Sequence, residues 1–203
     1  MHSKNEASIM AGLLLVAALT IASFAAPEDL GRFFQQGKLR AIIFSGRNNH
    51  DWRTTTPFLK KLLVDSGRFD VRVCEEPAGT TAETLAPYDL LVIDYGGPRW
   101  GETTERAVES FVKSGNGMVV VHGASYSFGD LEILADRHAG TGVKEPPWTE
   151  FTRMVGGRWP ARPARSFHGE RHSFPVKVVR KEHPVLQGMP DSFIATDELY
   201  HSM

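Results

Sequence analysis

The stretch Leu90-Leu91-Val92-Ile93-Asp94, followed by Tyr95-Gly96-Gly97, decides the fold class of this chain. Its apolar residues run without alternation, which is typical of a parallel strand that is buried on both faces. The run ends in an acidic residue, and the pair of glycines marks the loop that follows. We therefore predict a strand over Leu90–Asp94 inside a covered parallel sheet.

Three further apolar runs precede or follow this strand, and helical patterns lie between them. Strands are predicted over Leu39–Phe44, Phe69–Cys74 and Gly117–Val121. Helices are predicted over Thr54–Ser66 and Thr103–Ser114, where apolar residues recur at helical spacing and a glycine follows each segment. This alternation predicts an α/β fold with a doubly wound, mainly parallel sheet and helices on both faces.

The pattern becomes irregular after the fourth predicted strand. Short helices are expected over Leu131–Ala135 and Glu150–Val155, and strands over Ser173–Val179 and Phe193–Ala195. Long irregular stretches inside compact domains usually carry function. We therefore expect residues 129–172 to lie over a ligand pocket.

The first residues of the chain predict an export signal. Ile9–Ala26 is uncharged and rich in Leu, Ala and Val, and Ser23-Phe24-Ala25 offers small residues for cleavage after Ala25. The expected division is a signal peptide over 1–25, a linker over 26–38 and one domain over 39–203. An uncleaved anchor is the alternative, because the apolar run approaches the length of a membrane span. Both readings place the domain outside the cytoplasmic membrane, as a periplasmic or secreted protein or as an outward-facing anchored one.

The overall charge and the cysteine count exclude several classes. The chain has 203 residues and a formal net charge of −1, which gives no electrostatic case for a nucleic-acid partner. Membrane contact is expected only through an uncleaved signal anchor. Cys74 is the sole cysteine, so an internal disulfide is excluded, and we interpret it as a small buried hydrophobe.

Polar and aromatic residues follow three of the predicted strands. The loops are 45–52 (Ser-Gly-Arg-Asn-Asn-His-Asp-Trp), 94–100 (Asp-Tyr-Gly-Gly-Pro-Arg-Trp) and 122–128 (His-Gly-Ala-Ser-Tyr-Ser-Phe). The carboxyl ends of parallel strands meet at one edge of the sheet, where ligands bind in open α/β folds. These distant loops are therefore predicted to line one pocket.

Four segments together resemble the trehalose-utilisation (ThuA-like) family. They are Ser45-Gly46 with His50-Asp51-Trp52, then Asp94-Tyr95-Gly96-Gly97, then residues 117–124, and the tail from His183-Pro184 to Phe193 leading into Asp197-Glu198-Leu199-Tyr200. The resemblance covers most of the chain after the signal segment, and the tail is its most specific part.

The resemblance implies a flavodoxin-like, class I glutamine amidotransferase-like fold and a link to sugar metabolism. In true glutaminases of this fold the turn after the fourth strand carries a nucleophilic cysteine. Here that turn reads His122-Gly123-Ala124-Ser125, so a thioester route is excluded. The family's chains also continue beyond the Asp-Glu-Leu-Tyr segment, so we expect a fragment or a C-terminally truncated sheet.

Three residues are candidates for acid–base catalysis: His122, His50 and Glu198. An imidazole titrates near neutral pH, and both histidines follow strands at the predicted crevice. Asp197 and Glu198 would face opposite sides of a strand, and Glu198 is the one assigned to the crevice. A histidine with a carboxylate suits removal of a proton next to a carbonyl group. The alternatives are a backbone-bonded buried His122 and a helix-capping loop around His50.

A second set of residues is predicted to contact the substrate. They are Asn49, Asp51, Trp52, Trp100, Tyr126, His168 and Tyr200. Aromatic rings can stack on a sugar, although simple packing is as good an interpretation for the two tryptophans. No cofactor is assigned. A divalent metal stays an open alternative, with His168 and His172 as weak candidates because their spacing fits no established zinc pattern.

Taken together, the residues and the resemblance predict an extracytoplasmic enzyme whose partner is a small-molecule carbohydrate. It would act on a disaccharide or a keto-glycoside by isomerisation, elimination or hydrolysis. Two alternatives remain open, namely a non-catalytic sugar-binding module and a degenerate glutaminase-like partner domain. A homo-oligomer is left open as well.

Overall fold

Four parallel strands form the main sheet in the part of the chain that the structure describes. The computed structural model describes residues 33–128, 146–157 and 167–202. The strands are β1 (Leu39–Gly46), β2 (Phe69–Cys74), β3 (Leu90–Tyr95) and β4 (Gly117–Val120). Their order across the sheet is β2-β1-β3-β4, and every neighbouring pair is parallel. The predicted α/β fold with a parallel sheet is confirmed.

Helices cover both faces of this sheet. Within the described ranges they are α1 (Trp52–Asp65), α2 (Ala82–Leu85), α3 (Glu102–Lys113) and α4 (Thr149–Val155). Side chains alternate along β1: Ala41 and Ile43 belong to the core packed under α1, whereas Ile42 and Phe44 belong to the core packed under α3. Because both sets are buried, the strand is apolar at each position from Ala41 to Phe44, as two-sided burial requires.

Most element boundaries differ from the predictions by one or two residues. Helix α1 begins at Trp52 instead of Thr54, because the backbone carbonyl of Asp51 accepts the N–H groups of Thr54 and Thr55 and so starts the helix earlier. Strand β4 lies at the edge of the described sheet, and its side chains alternate between half-buried and exposed. Val119 is 49% exposed, so β4 is covered on one face only.

The later strands form two small antiparallel sheets. Strand β5 (Phe167–His168) pairs with β8 (Tyr200–His201), and β6 (His172–Lys177) pairs with β7 (Ser192–Asp197). The predicted strands over 173–179 and 193–195 correspond to β6 and β7. Short 3-10 turns lie over His122–Tyr126 and Pro184–Leu186.

Some predictions fall outside the described residues. The signal peptide over 1–25, most of the 26–38 linker and the helix over Leu131–Ala135 are among them. None of the helices that the structure describes is both long enough and apolar enough to cross a bilayer. Cys74 is half-buried against the core, and its burial raises the pKa of the thiol.

An aromatic cluster anchors α4 beside the sheet. Its members are Phe44, Tyr95, Trp100, Phe128, Trp148 and Phe151. The backbone N–H of Trp148 donates to Phe128 O at 2.7 Å, and its indole N–H donates to Glu109 Oε1 at 2.7 Å. Phe151 is fully buried. These contacts fix the helix whose carboxyl end reaches the site described next.

Candidate functional site

A cavity of about 670 Å³ opens where β1 and β4 end. Its walls come from four segments: the loop after β1, the turn after β4, the carboxyl end of α4, and the β5–β8 pair with the residues before β8. This volume lies within the range of about 300–1,000 Å³ that is usual for small-molecule sites. The cavity therefore lies at the edge where the sequence predicts a ligand crevice.

The three residues predicted to be catalytic all line this cavity. The ring centroids of His50 and His122 are 4.5 Å apart and the ring planes are tilted by 55°. The ring of Tyr200 meets His122 edge-on at 5.6 Å. Glu198 lines the same space. Both imidazoles are exposed to solvent, so a ligand can reach them.

A buried polar network underlies the loop that carries His50. Asn48 Oδ1 accepts the backbone N–H of His50 at 3.0 Å, and Asn48 Nδ2 donates to Asp94 Oδ1 at 3.3 Å. Thr56 Oγ1 donates to Asp94 Oδ2 at 2.8 Å, and the Ser45 hydroxyl is hydrogen-bonded to Thr56. Burial raises the pKa of Asp94, while the two hydrogen bonds that it accepts act in the opposite direction. The network ties the ends of β1 and β3 to helix α1.

Two glycines allow the loop to approach its neighbours closely. A Cβ on Gly123 would lie 2.6 Å from His50 Cδ2 and 2.9 Å from Asn48 Oδ1. A Cβ on Gly96 would lie 2.7 Å from Asn48 Cα. A side chain on Gly123 would therefore displace the His50 ring or the Asn48 amide, and one on Gly96 would press on the backbone of the loop at Asn48.

His122 has a strained backbone at the end of β4. Its φ of 38° lies in the left-handed region, which a residue other than glycine rarely adopts. Such conformations cost on the order of 1–3 kcal/mol and cluster at functional sites. The 3-10 turn over His122–Tyr126 begins at this residue, directly after β4.

The opposite wall is built by the β5–β8 pair. His168 is the register partner of Tyr200, so both side chains lie on one face of this small sheet. Tyr200 donates its hydroxyl hydrogen to Glu198 Oε2 at 2.8 Å, and His168 Nδ1 lies 3.5 Å from Glu198 Oε1. Asp197 Oδ1 instead accepts the backbone N–H of Glu198 at 2.9 Å. The carboxylate of Glu198 is thereby held between a hydroxyl and an imidazole.

Two of these groups have shifted pKa values. Partial desolvation and then the nearby His122 lower the pKa of His50, against an opposing effect of Glu198. Desolvation raises the pKa of Tyr200 to about 12, and its hydrogen bond to Glu198 and the charge of Asp197 act in the same direction. At neutral pH His50 is therefore predominantly a proton acceptor, and Tyr200 remains a hydrogen-bond donor.

The predicted substrate contacts divide into two groups. Asn49, Tyr126, His168 and Tyr200 line the cavity, whereas Asp51, Trp52 and Trp100 do not. Asp51 precedes α1 and accepts the Thr54 hydroxyl at 2.7 Å. Trp52 lies beneath the guanidinium of Arg53, 4.3 Å from ring centroid to Cζ. Asp51 and Trp52 thus begin helix α1 and do not contribute to the cavity wall.

The prediction that Trp100 stacks on a sugar is wrong. Its side chain is 5% exposed and packs edge-on against Phe44 and Phe128 at centroid distances of 5.3 and 4.7 Å. A ring enclosed by other rings has no free face for a ligand. The packing alternative is the correct one for this residue.

The two candidate metal ligands are not brought together in the cavity. His168 lines it, but the His172 ring lies beside Glu170 O at 2.9 Å and against Phe174. Within residues 33–128, 146–157 and 167–202, no group of three His, Cys, Asp or Glu side chains is arranged to hold a metal ion.

Five lining residues were not among the predicted site residues: Val120, Gly123, Ser125, Val155 and Gly157. Gly123 and Ser125 stand in the loop 122–128, which was predicted to line the pocket, and Val120 ends the strand before it. Val155 and Gly157 reach the cavity only through the packing of α4, which no local pattern indicates.

Residues 40–203 match the family model described as ThuA, trehalose utilisation. The chain belongs to this family. Among solved structures it is similar to a putative ThuA-like protein from Parabacteroides merdae ATCC 43184, with 29% identity and a TM-score of 0.63. That match covers 80% of this chain and 62% of the other.

A second ThuA-like structure supports the fold. A putative ThuA-like protein from Bacteroides uniformis ATCC 8492 is 21% identical, with a TM-score of 0.56 over 82% of this chain and 62% of its own. This ThuA chain therefore spans less than two thirds of the length of both. A comparison with functionally curated proteins finds no match.

Proposed function

We propose that this ThuA-family protein is a carbohydrate-active enzyme that uses acid–base chemistry on a disaccharide or its keto derivative. The family's link to trehalose utilisation supports the sugar class. One observation carries the catalytic part: His50, His122 and Glu198 converge on a single solvent-accessible cavity from segments remote in sequence. Titratable groups that converge in a pocket are typical of acid–base sites.

The arrangement supports a reaction in which a proton is removed from one atom of the substrate and a proton is given to another. His50, whose pKa is lowered, accepts a proton from the carbon next to the substrate carbonyl. Glu198 faces the same space, oriented by the Tyr200 hydroxyl and by His168. In an isomerisation or an elimination, the protonated His50 then returns the proton to another atom of the substrate. The same groups also suit the activation of a water molecule for hydrolysis.

The aromatic residues favour an enzyme over a passive sugar-binding module. A binding module of this kind would present Trp52 and Trp100 as platforms, but neither lines the cavity. Tyr126 and Tyr200 are the predicted aromatic contacts that line the cavity. The wall also carries three imidazoles and the Glu198 carboxylate, which supports chemistry.

The first prediction concerns His122. We expect His122→Asn to lower kcat on the true substrate about 10²- to 10⁴-fold, the usual contribution of one acid–base group. Turnover would be followed by NMR over a panel of disaccharides and their keto derivatives. His183→Asn is the matched control, because His183 caps a remote 3-10 turn through its bond from Val185 N–H.

Three results would contradict parts of this proposal. A folded His122→Asn protein with wild-type turnover removes His122 from the mechanism. Binding without turnover of any panel member by the wild type favours the sugar-binding module. Absence of both binding and turnover favours the glutaminase-like partner domain.

We also propose that the protein acts outside the cytoplasmic membrane. The uncharged Ile9–Ala26 segment and the small residues before Ala26 support this location. We expect protein recovered from cells that express the full chain to begin at Ala26. An N-terminal sequence that begins at Met1 would contradict cleavage and leave the anchor as the alternative.

A further inference from the structure

Gly123 and Asn48 lie against His50, whose imidazole is next to that of His122 in the cavity. We propose that Gly123 and Asn48 are positioning residues that keep the ring of His50 against His122, so that a proton on either imidazole disfavours a proton on the other and the two act as one acid–base unit. The catalytic use of this pair rests on the proposed function, whereas the pairing itself can be measured without a substrate.

Gly123 leaves the room that the ring of His50 needs beside the turn after β4. Its missing Cβ leaves the space that His50 occupies, since that atom would lie 2.6 Å from His50 Cδ2 and 3.1 Å from His50 Nε2. Contacts below 3.0 Å do not occur for real Cβ atoms, so one group must move. Gly123 follows His122 directly, and the ring approaches the turn itself at this point.

Asn48 holds the loop that carries His50 by hydrogen bonds. This side chain is 1% exposed, and its amide is bonded at both ends, to His50 N–H through Oδ1 and to Asp94 through Nδ2. Its Cα fills the space beside Gly96. The loop therefore cannot move away from the sheet without breaking buried hydrogen bonds, and His50 stays 4.5 Å from His122, measured between ring centroids.

The short distance between the rings of His50 and His122 makes their charges interact. Two imidazolium ions so close repel each other. The groups that face His50 are His122 from the turn after β4 and Glu198 from the segment before β8. Desolvation and then His122 lower the pKa of His50, whereas Glu198 acts in the opposite direction.

When one ring is protonated and the other is neutral, the pair suits the proposed reaction. The protonated ring gives its proton to a substrate oxygen, and the neutral ring takes one from the substrate carbon. The pair then holds one proton and one positive charge before and after the step.

The experiment is an NMR titration of the histidine imidazoles in the ligand-free protein. We expect the pKa of His50 to rise in His122→Gln, because the replacement removes the neighbouring like charge. We expect a rise in Gly123→Ala as well, because the added methyl displaces the ring. Gly169→Ala is the matched control: an added Cβ there meets nothing within 4 Å, so the His50 pKa should not change.

The catalytic readout separates positioning from stability. Once a substrate is identified, Gly123→Ala should lower kcat about 10- to 100-fold with a smaller change in KM, since misplacement of a reacting group by about 1 Å has effects of that size. Wild-type kcat in a folded Gly123→Ala protein would overturn the positioning role. Thermal unfolding of each variant verifies that it is folded.

Two outcomes distinguish this proposal from the proposed function. An unchanged His50 pKa in His122→Gln overturns the pairing, whatever the protein catalyses, and it decides the question even where Gly123→Ala does not fold. A coupled titration in a protein that turns over no carbohydrate supports the pairing and removes the enzymatic role.

Discussion

Tyr200 shows how one side chain orients another in the cavity. Its hydroxyl donates to Glu198 Oε2 at 2.8 Å, and desolvation together with this bond raises the pKa of Tyr200 to about 12. The hydroxyl therefore remains protonated over the whole range in which the protein is expected to work. It fixes one carboxylate oxygen and leaves the other facing His168 at 3.5 Å.

A prediction for Tyr200→Phe follows from this contact. The substitution removes a hydrogen bond to a charged group while keeping the ring against His122, and such a bond contributes about 1.5–3 kcal/mol. We expect kcat/KM to fall at least about 10-fold, since 1.4 kcal/mol is a factor of ten in rate. Steady-state assays on the panel substrates measure it.

Tyr88→Phe is the matched control for that experiment. Tyr88 is half-buried and packs edge-on against Phe34 at 5.5 Å, away from the cavity. Its hydroxyl should be dispensable for turnover. Equal losses in the two variants would mean that Tyr200 has no particular role in the site.

Between elements, Asp94 joins two strands and a helix. It lies on β3 as the register partner of Ser45 on β1, and it accepts hydrogen bonds from Thr56 on α1 and from Asn48 in the loop after β1. The carboxylate is 3% exposed. The sequence predicts Asp94 as the last residue of a strand, and the structure places it next to the last residue of β3. The side chain supports the loop that carries His50 and does not line the cavity.

Asp94→Ala is therefore predicted to destabilise the fold. It leaves the Thr56 hydroxyl and the Asn48 amide without their buried acceptor, at a cost of about 2–4 kcal/mol in the free energy of unfolding. Asp94→Asn keeps one acceptor oxygen and should cost less. Asp65→Ala is the control, because its exposed pair with Lys61 contributes at most about 0.5 kcal/mol. Urea unfolding at constant pH gives all three values.

The same carboxylate predicts a dependence of stability on pH. Because burial raises the pKa of Asp94 in the folded state, the folded protein holds this proton at pH values where the unfolded chain has lost it. The contribution is complete below the unfolded value of 3.8 and decreases as pH rises through the folded pKa. Asp94→Asn should remove that slope; an identical slope in the variant would contradict the assignment.

The elements that carry the site differ in how well the sequence predicts them. The centres of β1 (Ala41–Phe44) and β3 (Leu90–Ile93) are uninterrupted apolar runs, so these strands can be recognised from their burial on both faces. The β5–β8 pair joins only two residues from each strand, which is too short for any period to be recognised. His168 and Tyr200 could be suspected from their residue types, but their pairing could not.

At the scale of the whole molecule, the cavity exists because remote segments are held against one edge of the sheet. Helix α4 contributes Val155 and is anchored through Trp148 and Phe151 in the aromatic cluster. Trp100 belongs to that cluster, so its contribution to the site is indirect, through the position of α4. The His50 loop and the β8 segment complete the walls.

By itself, the sequence determined the parallel α/β architecture and the edge at which the site lies. Those properties follow from local patterns, because two-sided burial requires continuous apolar strands and loops leave parallel strands at a common edge. Tertiary structure alone decided that Trp100 is enclosed while Tyr200 and His168 face His122 across the cavity. A local pattern records whether a residue is suited to burial, but the neighbour that it meets depends on how distant elements pack.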